Sequence, residues 1–282
     1  MAILLTPARG RSRLALAYPP ARPGGSAAPI LPPRALEAPI HRLVLWNIDL
    51  TLVDVGRVTR AAYADAFAAV TGRPLVRLSQ MAGRTESEIF FDALALNEAD
   101  PLAPAPAYEE VLGRFSRELA SAFRARRSLL TEQGRLLPGA LAAVAEVGGL
   151  PGVVQTLLTG AIKPNAIEKL HAFELDRFFD TEVGGYGSEV FPKGALLLNA
   201  RGRAAEKYGV EFAAEATVYI ADSARDVAAA QIGGARSVAV ASGRSSAAEL
   251  RDAGADVVLA DLADTANVVR AVEWLTAPAA TG

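Results

Sequence analysis

The sequence contains no cysteine and only two histidines among its 282 residues. The absence of cysteine excludes disulfide bonds, thiolate metal ligands and a cysteine nucleophile. With His41 and His171 as the only imidazoles, the composition argues against a histidine-based triad and against a multi-histidine zinc site. No apolar stretch approaches the roughly 20 residues that a membrane-spanning helix needs. We therefore expect a globular protein without membrane association, located in the cytoplasm.

The first forty residues differ in composition from the rest of the chain. Residues 1–40 hold eight of the seventeen prolines and five arginines, with Glu37 as their only acid. This composition predicts a disordered N-terminal extension, either an over-extended start or a loose tail; a transit peptide is the weaker alternative, because the proline density disfavours a continuous amphipathic helix. The segment carries +4, so within a net charge of −2 the remaining residues carry −6. That balance does not suit a nucleic-acid binder.

Strand and helix patterns alternate through the second half of the chain. Apolar runs that predict buried parallel strands occur at 43–46, 153–158, 217–220, 237–240 and 256–259. Repeated β-α alternation predicts a Rossmann-like, doubly wound α/β fold. Between Gly56 and about Leu137 the pattern changes to amphipathic helices without convincing strands, and Thr85-Glu86-Ser87-Glu88 has capping-box spacing. We therefore expect an α/β core of residues 41–56 and 138–282, with residues 57–137 inserted as an α-helical cap.

The first predicted strand ends in a compact polar cluster. Residues 43–52 read Leu-Val-Leu-Trp-Asn-Ile-Asp-Leu-Thr-Leu, so that Asn47, Asp49 and Thr51 follow an apolar run. In open α/β sheets ligands bind beyond the carboxyl ends of the strands, where these side chains are expected. The cluster resembles motif I of the haloacid dehalogenase (HAD) superfamily, Asp-x-Asp-x-Thr after a hydrophobic strand. Asn47 stands at the place of the nucleophile.

Two other strand ends resemble further motifs of this superfamily, in the same order. Thr159 and Gly160 resemble motif II, which holds a phosphate oxygen, although Ala161 stands where the family often has Asn. The segment 221–226, Ala-Asp-Ser-Ala-Arg-Asp, resembles motif IV, Gly-Asp-x-x-x-Asp, with Ala in place of the Gly. Each piece alone has an ordinary structural explanation, such as a helix cap or a turn. Their order, together with the helical insertion, favours the family resemblance.

Two basic residues complete the candidate site. Lys193 resembles the motif III cation, which offsets charge between nucleophile and phosphoryl group; Lys163 is a weaker competitor, and a solvated lysine at a helix start is the alternative reading. Arg84, in Gly83-Arg84-Thr85 of the predicted cap, is a candidate contact for an anionic substrate, with an ordinary solvent-facing arginine as its alternative.

The resemblance implies a Mg²⁺-dependent phosphomonoester hydrolase, similar to phosphoglycolate-phosphatase-like members, acting on a small phosphorylated metabolite. In that family the first Asp attacks phosphorus to give an aspartyl-phosphate. Carried over, Asp49 protonates the leaving oxygen and later deprotonates water, and Thr159 and Gly160 hold the phosphate. The resemblance also implies a metal site formed by Asn47, the backbone carbonyl of Asp49 and Asp222, with Asp226 orienting a water or the motif III lysine.

Because of Asn47, the activity that the family resemblance implies and the activity of this chain can differ. An amide is a far weaker nucleophile than a carboxylate, so we expect impaired phosphoryl transfer. Losing one negative charge also weakens Mg²⁺ binding but relieves repulsion of an incoming phosphate. The alternatives are therefore a catalytically inactive phospholigand-binding or regulatory protein, or a structural or interaction domain that neither binds a phospholigand nor turns it over. The sequence leaves open whether Asn47 is engineered, a natural loss or a sequence error, and it does not reveal the substrate or the oligomeric state.

Overall fold

The computed structural model describes residues 41–99, 106–189 and 192–277. The predicted disordered extension, residues 1–40, lies outside these ranges. None of the helices within them combines the length and apolar character needed to traverse a bilayer. The cytoplasmic location stays a prediction.

A six-stranded parallel sheet forms the centre of the fold. Its strands, in spatial order, are β5 (Gly185–Tyr186), β4 (Val153–Thr159), β1 (Arg42–Trp46), β6 (Thr217–Ala221), β7 (Arg236–Val240) and β8 (Val257–Leu259). Every neighbouring pair is parallel, which confirms the predicted doubly wound α/β class. The sequence did not predict β5, because two residues are too few to show a periodic pattern.

The helices of the described ranges fall into two groups. Those between β1 and β4 are α1 (Gly56–Thr71), α2 (Glu86–Leu96), α3 (Pro106–Arg124), α4 (Leu129–Gln133) and α5 (Ala140–Gly148). Those after β4 are α6 (Lys163–Ala172), α7 (Lys193–Tyr208), α8 (Ala224–Gly233), α9 (Ala247–Asp252) and α10 (Thr265–Leu275). This alternation of strand and helix after β4 is what the sequence predicts.

Helices cover both faces of the sheet at the central strand β1. Its residues Leu43 and Leu45 are fully buried in the apolar cluster that contains α7. Val44 and Trp46, which point to the opposite face because strand side chains alternate, join the cluster that contains α5 and α10. A strand buried on both faces requires the continuous apolar run that the sequence shows.

The chain between β1 and α5 forms the helical insertion. Phe90 of α2 and Phe115 of α3 stack with their ring centroids 4.0 Å apart, and both belong to the same apolar cluster as Trp46. A short antiparallel ladder of β2 (Val53–Asp54) and β3 (Arg135–Leu136) closes the base of the insertion. The prediction that this region has no strands was therefore wrong at its end. The boundaries of core and cap stay a prediction.

Candidate functional site

The carboxyl ends of β1, β4 and β6 bring the polar segments together. β1 pairs with β4 on one side and with β6 on the other, so the residues that follow each strand meet at one edge of the sheet. The backbone N–H of Asn47 donates to the backbone carbonyl of Ile220 at 2.9 Å and so extends the pairing of β1 with β6 by one hydrogen bond. This register places Asn47 beside Asp222, which follows β6.

The Asn47 side chain lies at the centre of the site. Its Nδ2 donates to Oδ1 of Asp222 at 2.9 Å, to the backbone carbonyl of Asp49 at 2.9 Å and to Oγ1 of Thr51 at 3.2 Å. Its Oδ1 accepts from Nζ of Lys193 at 3.3 Å. The Asn47 side chain therefore contacts three residues that the sequence predicts around it, namely Asp49, Lys193 and Asp222, and it also contacts Thr51.

Asp222 is a buried carboxylate whose two oxygens have different surroundings. Its Oδ1 accepts from Thr51 at 2.9 Å as well as from Asn47, whereas its Oδ2 is buried and has no hydrogen-bond partner among the described residues. Burial raises the pKa of Asp222 to about 7, and the nearby carboxylate of Asp226 contributes to the rise. Oδ2 faces Gly243, where an added Cβ would lie 2.0 Å away.

Lys193 lies at the start of α7 and is buried, so that the structure excludes the alternative of a solvated lysine. Its Nζ lies 2.6 Å from Oδ1 of Asp226 and 3.2 Å from the hydroxyl of Tyr219, which itself donates to Asp226. A buried cation needs such a partner, because its desolvation is otherwise very costly. The competitor Lys163 instead pairs with Glu182 near the surface. Sequence reasoning missed Tyr219, which the strand pattern hides among apolar residues.

Asp49 pairs with a lysine that sequence reasoning also missed. Nζ of Lys169 lies 2.8 and 2.6 Å from the two carboxylate oxygens of Asp49. The Lys169 side chain is 1% exposed and that of Asp49 is 41% exposed. Lys169 follows the buried Ala166 by three positions in α6. A lysine on the apolar face of a helix was the available sequence signal.

The motif II segment contacts the helical insertion as well as the site. Thr159 is fully buried, and its Oγ1 accepts from the backbone N–H of Ala161 at 3.2 Å. A Cβ on Gly160 would lie 1.8 Å from the carbonyl oxygen of Arg84, and the Gly160 carbonyl accepts from the N–H of Glu86 at 2.8 Å. Gly160 and Ala161 reach the cavity, whereas Thr159 is not among the residues that line it.

Arg84 borders the cavity, but other protein groups bind its guanidinium. Nη1 donates to Asp92 at 2.5 Å and to Ser79 at 3.1 Å, and Nη2 donates to the carbonyl of Glu88 at 3.1 Å. This hydrogen bond from Arg84 is the main reason that the pKa of Asp92 lies below its usual range. The structure therefore favours a role for Arg84 in holding the helical insertion together over direct contact with a substrate.

Glu86 is a further buried carboxylate, and it lies near the cation of Lys169. The structure confirms the predicted capping box at the start of α2, formed by Thr85 and Glu88, and this cap fixes the position of Glu86 at the first helical residue. Its Oε2 accepts from the N–H of Ile162 at 2.5 Å. Burial raises the pKa of Glu86 to about 7, and the charge of Lys169 opposes this rise.

These groups surround a cavity of about 360 Å³. Asn47, Asp49 and Gly160 contribute to its floor, and residues 80–84 contribute to its wall. Six basic side chains line it, namely Arg60, Arg84, Arg135, Lys169, Lys193 and Arg244, against three acidic ones. The cavity is thus large enough for a small metabolite. Four of the six cations are paired with carboxylates, so Arg60 and Arg244, which form no ion pair with any described residue, supply the charge that favours an anion.

A metal ion of the kind implied by the sequence does not fit these residues as they stand. Within the described ranges, no group of three or more acidic or histidine side chains could hold a metal ion. The donors that converge are one carboxylate, one amide and one backbone carbonyl, and the amide presents N–H groups rather than a lone pair to the two oxygens. Mg²⁺ needs oxygen ligands, and these usually include one or two carboxylates. A carboxylate at position 47 would supply the missing anionic oxygen.

Comparison with protein families identifies two matching regions. The model described as haloacid dehalogenase-like hydrolase matches residues 44–231. The model described as HAD-hydrolase-like matches residues 198–265. No curated protein matches the sequence. The first match spans every predicted motif.

Solved structures share the fold at low sequence identity. A hydrolase from Pseudomonas syringae is 23% identical, with a TM-score of 0.57 over 80% of this chain and 97% of that chain. A predicted phosphatase from Clostridium acetobutylicum is 14% identical, with a TM-score of 0.57 over 82% and 99%. A predicted phosphoglycolate phosphatase from Haemophilus somnus is 18% identical, with a TM-score of 0.53 over 81% and 97%. At such identities the likeness shows the fold alone.

Proposed function

The chain belongs to the haloacid dehalogenase-like hydrolase family, and we propose that it has the scaffold of a phosphomonoester hydrolase for a small phosphorylated metabolite, with turnover impaired by Asn47. The observation that carries this proposal is that Asn47, Asp49 and Lys193 line one cavity, with Asp222 hydrogen-bonded to Asn47 behind it. The names of two fold neighbours, a phosphatase and a phosphoglycolate phosphatase, support the substrate class.

With an aspartate at position 47, the proposed reaction has two steps. The carboxylate attacks phosphorus and the alcohol leaves, its oxygen taking a proton from Asp49. Asp49 then takes a proton from water, which attacks the aspartyl-phosphate and releases inorganic phosphate. Lys193, held by Asp226, offsets the negative charge between nucleophile and phosphoryl group. Mg²⁺ is the proposed cofactor of this aspartate-bearing form.

The remaining proposed roles concern binding. The backbone of Gly160 and Ala161 borders the cavity and is the proposed contact for a phosphate oxygen, with Thr159 orienting that backbone through its hydrogen bond to Ala161. We also propose that residues 57–137 act as a cap that excludes water and selects the substrate. Arg84 supports that cap through Asp92.

In the chain as it stands, Asn47 removes the nucleophile. Its amide nitrogen has no available lone pair, and its oxygen faces the ammonium of Lys193. A second candidate function follows, that of a phospholigand-binding or regulatory pseudophosphatase. The saturation of the amide by four hydrogen-bonding partners favours it, since the substituted site is fully assembled rather than disrupted.

Hydrolysis of an aryl phosphate by the chain and by Asn47→Asp, with Mg²⁺ present, tests the proposal. We expect the reverted variant to hydrolyse p-nitrophenyl phosphate at a rate at least roughly 10²-fold above the chain as it stands, because only it has the carboxylate. The matched control is Asn47→Asp with Asp49→Asn, which keeps the nucleophile and lacks the acid-base group. Equal rates for all three proteins, across a panel of phosphomonoesters, would exclude the assigned nucleophile position.

A further inference from the structure

The side-chain nitrogen of Asn47 lies in a pocket of oxygen atoms. Three oxygens converge on this nitrogen: the backbone carbonyl of Asp49, Oδ1 of Asp222 and Oγ1 of Thr51, at 2.9, 2.9 and 3.2 Å. The Thr51 hydroxyl donates its own proton to Asp222, so it presents a lone pair to Asn47. The nitrogen thus lies among oxygen lone pairs as a small cation would.

The orientation of the amide is fixed by groups on both of its sides. Its Oδ1 accepts from the ammonium of Lys193 at 3.3 Å. Coordination of a cation through Oδ1 would require the amide to flip. The flip would turn its N–H groups toward the ammonium of Lys193, which has no lone pair to accept them, and would break the hydrogen bonds to Asp222, Thr51 and the Asp49 carbonyl. The chain therefore opposes the one orientation in which Asn47 could act as a metal ligand.

The charges around Asn47 also disfavour a metal ion at this position. Lys193 and Asp226 form an ion pair at 2.6 Å and offset each other. Among the described residues, Asp222 is then the carboxylate beside Asn47 that has no ion-pair partner. Its Oδ1 already accepts two hydrogen bonds. With an aspartate at 47, two carboxylates would face each other, and a divalent cation would relieve their repulsion. With Asn47 there is no second carboxylate, and an N–H donor faces Asp222 instead.

The cavity next to this cluster retains the electrostatics for an anion without a metal. Of the six basic side chains that line it, Arg84, Arg135, Lys169 and Lys193 are each paired with a carboxylate. Arg60 and Arg244, exposed at its rim, form no ion pair with any described residue, and they supply the positive charge for an anion. The neutral side chain at position 47 adds no charge that would repel a phosphate group.

We propose that the Asn47 amide takes the place of the divalent cation, so that this chain binds phosphate groups without Mg²⁺. The replacement of the cation follows from the hydrogen bonds of Asn47. The binding of phosphate rests on the proposed function of the same cavity. The chain would then be a metal-independent phospholigand protein, and Asn47→Asp would restore both the nucleophile position and the need for Mg²⁺.

Calorimetric titration of the full chain and of Asn47→Asp, with MgCl₂ and separately with inorganic phosphate, tests this. For the chain we expect no saturable Mg²⁺ binding, and a phosphate Kd that agrees within twofold in EDTA and in Mg²⁺. For Asn47→Asp we expect saturable Mg²⁺ binding, and phosphate affinity at least tenfold weaker in EDTA than in Mg²⁺. Matching circular dichroism spectra establish that both proteins are folded.

Each other result overturns the proposal. Mg²⁺ binding by the chain as tight as that by the variant would show that the amide does not replace the cation. Failure of both proteins to bind Mg²⁺ would show the same, since the carboxylate would then not restore the site. Absence of phosphate binding by the chain, or a tenfold gain with Mg²⁺, would exclude metal-independent binding. Turnover by Asn47→Asp is a separate measurement, so the proposed function can fail while this inference stands, and the reverse.

Discussion

The ammonium of Lys169 lies 2.8 and 2.6 Å from the two carboxylate oxygens of Asp49, so that a buried helix residue holds the proposed acid-base group. The two partners differ in environment, because Asp49 is partly exposed to the cavity and Lys169 is not. The ring of Phe123 lies 5.5 Å from the same ammonium. Asp49 is the one carboxylate bound to this lysine by a hydrogen bond among the described residues.

Removing Asp49 should therefore destabilise the fold more than removing both partners. Asp49→Asn leaves the buried ammonium without its hydrogen-bonded carboxylate, and we expect a loss of roughly 1–3 kcal/mol in the free energy of unfolding, below the usual cost for a fully buried pair because Asp49 is partly exposed. The double variant with Lys169→Met should lose less than Asp49→Asn alone. Urea denaturation of both single variants and the double variant measures this coupling. Additive losses would mean that the pair contributes no coupling.

Glu86 should make stability fall as the pH rises. Burial raises its folded-state pKa from 4.5 to about 7, so between these values the unfolded chain has released a proton that the folded chain keeps. The stability is therefore fully present below pH 4.5, decreases through the window and is lost above pH 7, by an amount of order 3 kcal/mol. Glu86→Gln keeps an oxygen to accept from Ile162 and removes the titration.

The comparison of the two proteins isolates this contribution from those of other carboxylates. We expect Glu86→Gln to gain stability relative to the parent chain when urea denaturation at pH 8 is compared with pH 5. A difference between the two proteins that does not change with pH would contradict the raised pKa of Glu86.

A side chain at Gly160 should separate the helical insertion from the sheet edge. A Cβ there would lie 1.8 Å from the carbonyl oxygen of Arg84, and backbone cannot yield as a flexible side chain can. We expect Gly160→Ala to cost about 2 kcal/mol or more and to increase hydrogen exchange at residues 83–86. The control is Gly202→Ala in α7, where an added Cβ meets nothing within 4 Å, and where helix propensity predicts a gain of up to about 1 kcal/mol. Equal changes in stability for Gly160→Ala and Gly202→Ala would contradict the close approach of Gly160 to the Arg84 carbonyl.

Reverting Asn47 should lower stability when divalent cations are absent. Asn47→Asp replaces the Nδ2 donor, 2.9 Å from Oδ1 of Asp222, by a carboxylate oxygen. Two buried carboxylates at this distance repel, so we expect a decrease in Tm of roughly 5 °C in EDTA. Mg²⁺ should recover most of this loss in the variant and leave the Tm of the chain unchanged. Scanning calorimetry measures both, and an unchanged Tm in EDTA would contradict the arrangement of Asn47 and Asp222.

Much of the fold could be predicted because its signals are local. The apolar runs of β1 and β4, the capping box of Thr85 and Glu88, and the segment 221–226 each depend on neighbours in sequence. Parallel sheets place the carboxyl ends of their strands at one edge, so the sequence alone leads one to expect Asn47 beside Asp222, where the structure has them. The ladder of β2 and β3 could not, since two residues carry no periodicity.

The sequence by itself determined the order of the longer strands and helices, the family resemblance and the amide at position 47, where the family motif has an aspartate. Only the tertiary structure decided which partners the polar groups find: Lys169 for Asp49, Tyr219 for Lys193, Asp92 for Arg84, and three oxygens for the Asn47 amide. Local patterns follow from backbone geometry over a few residues. The partner of a buried charge depends on which distant segments pack beside it, and desolvation then makes that pairing obligatory.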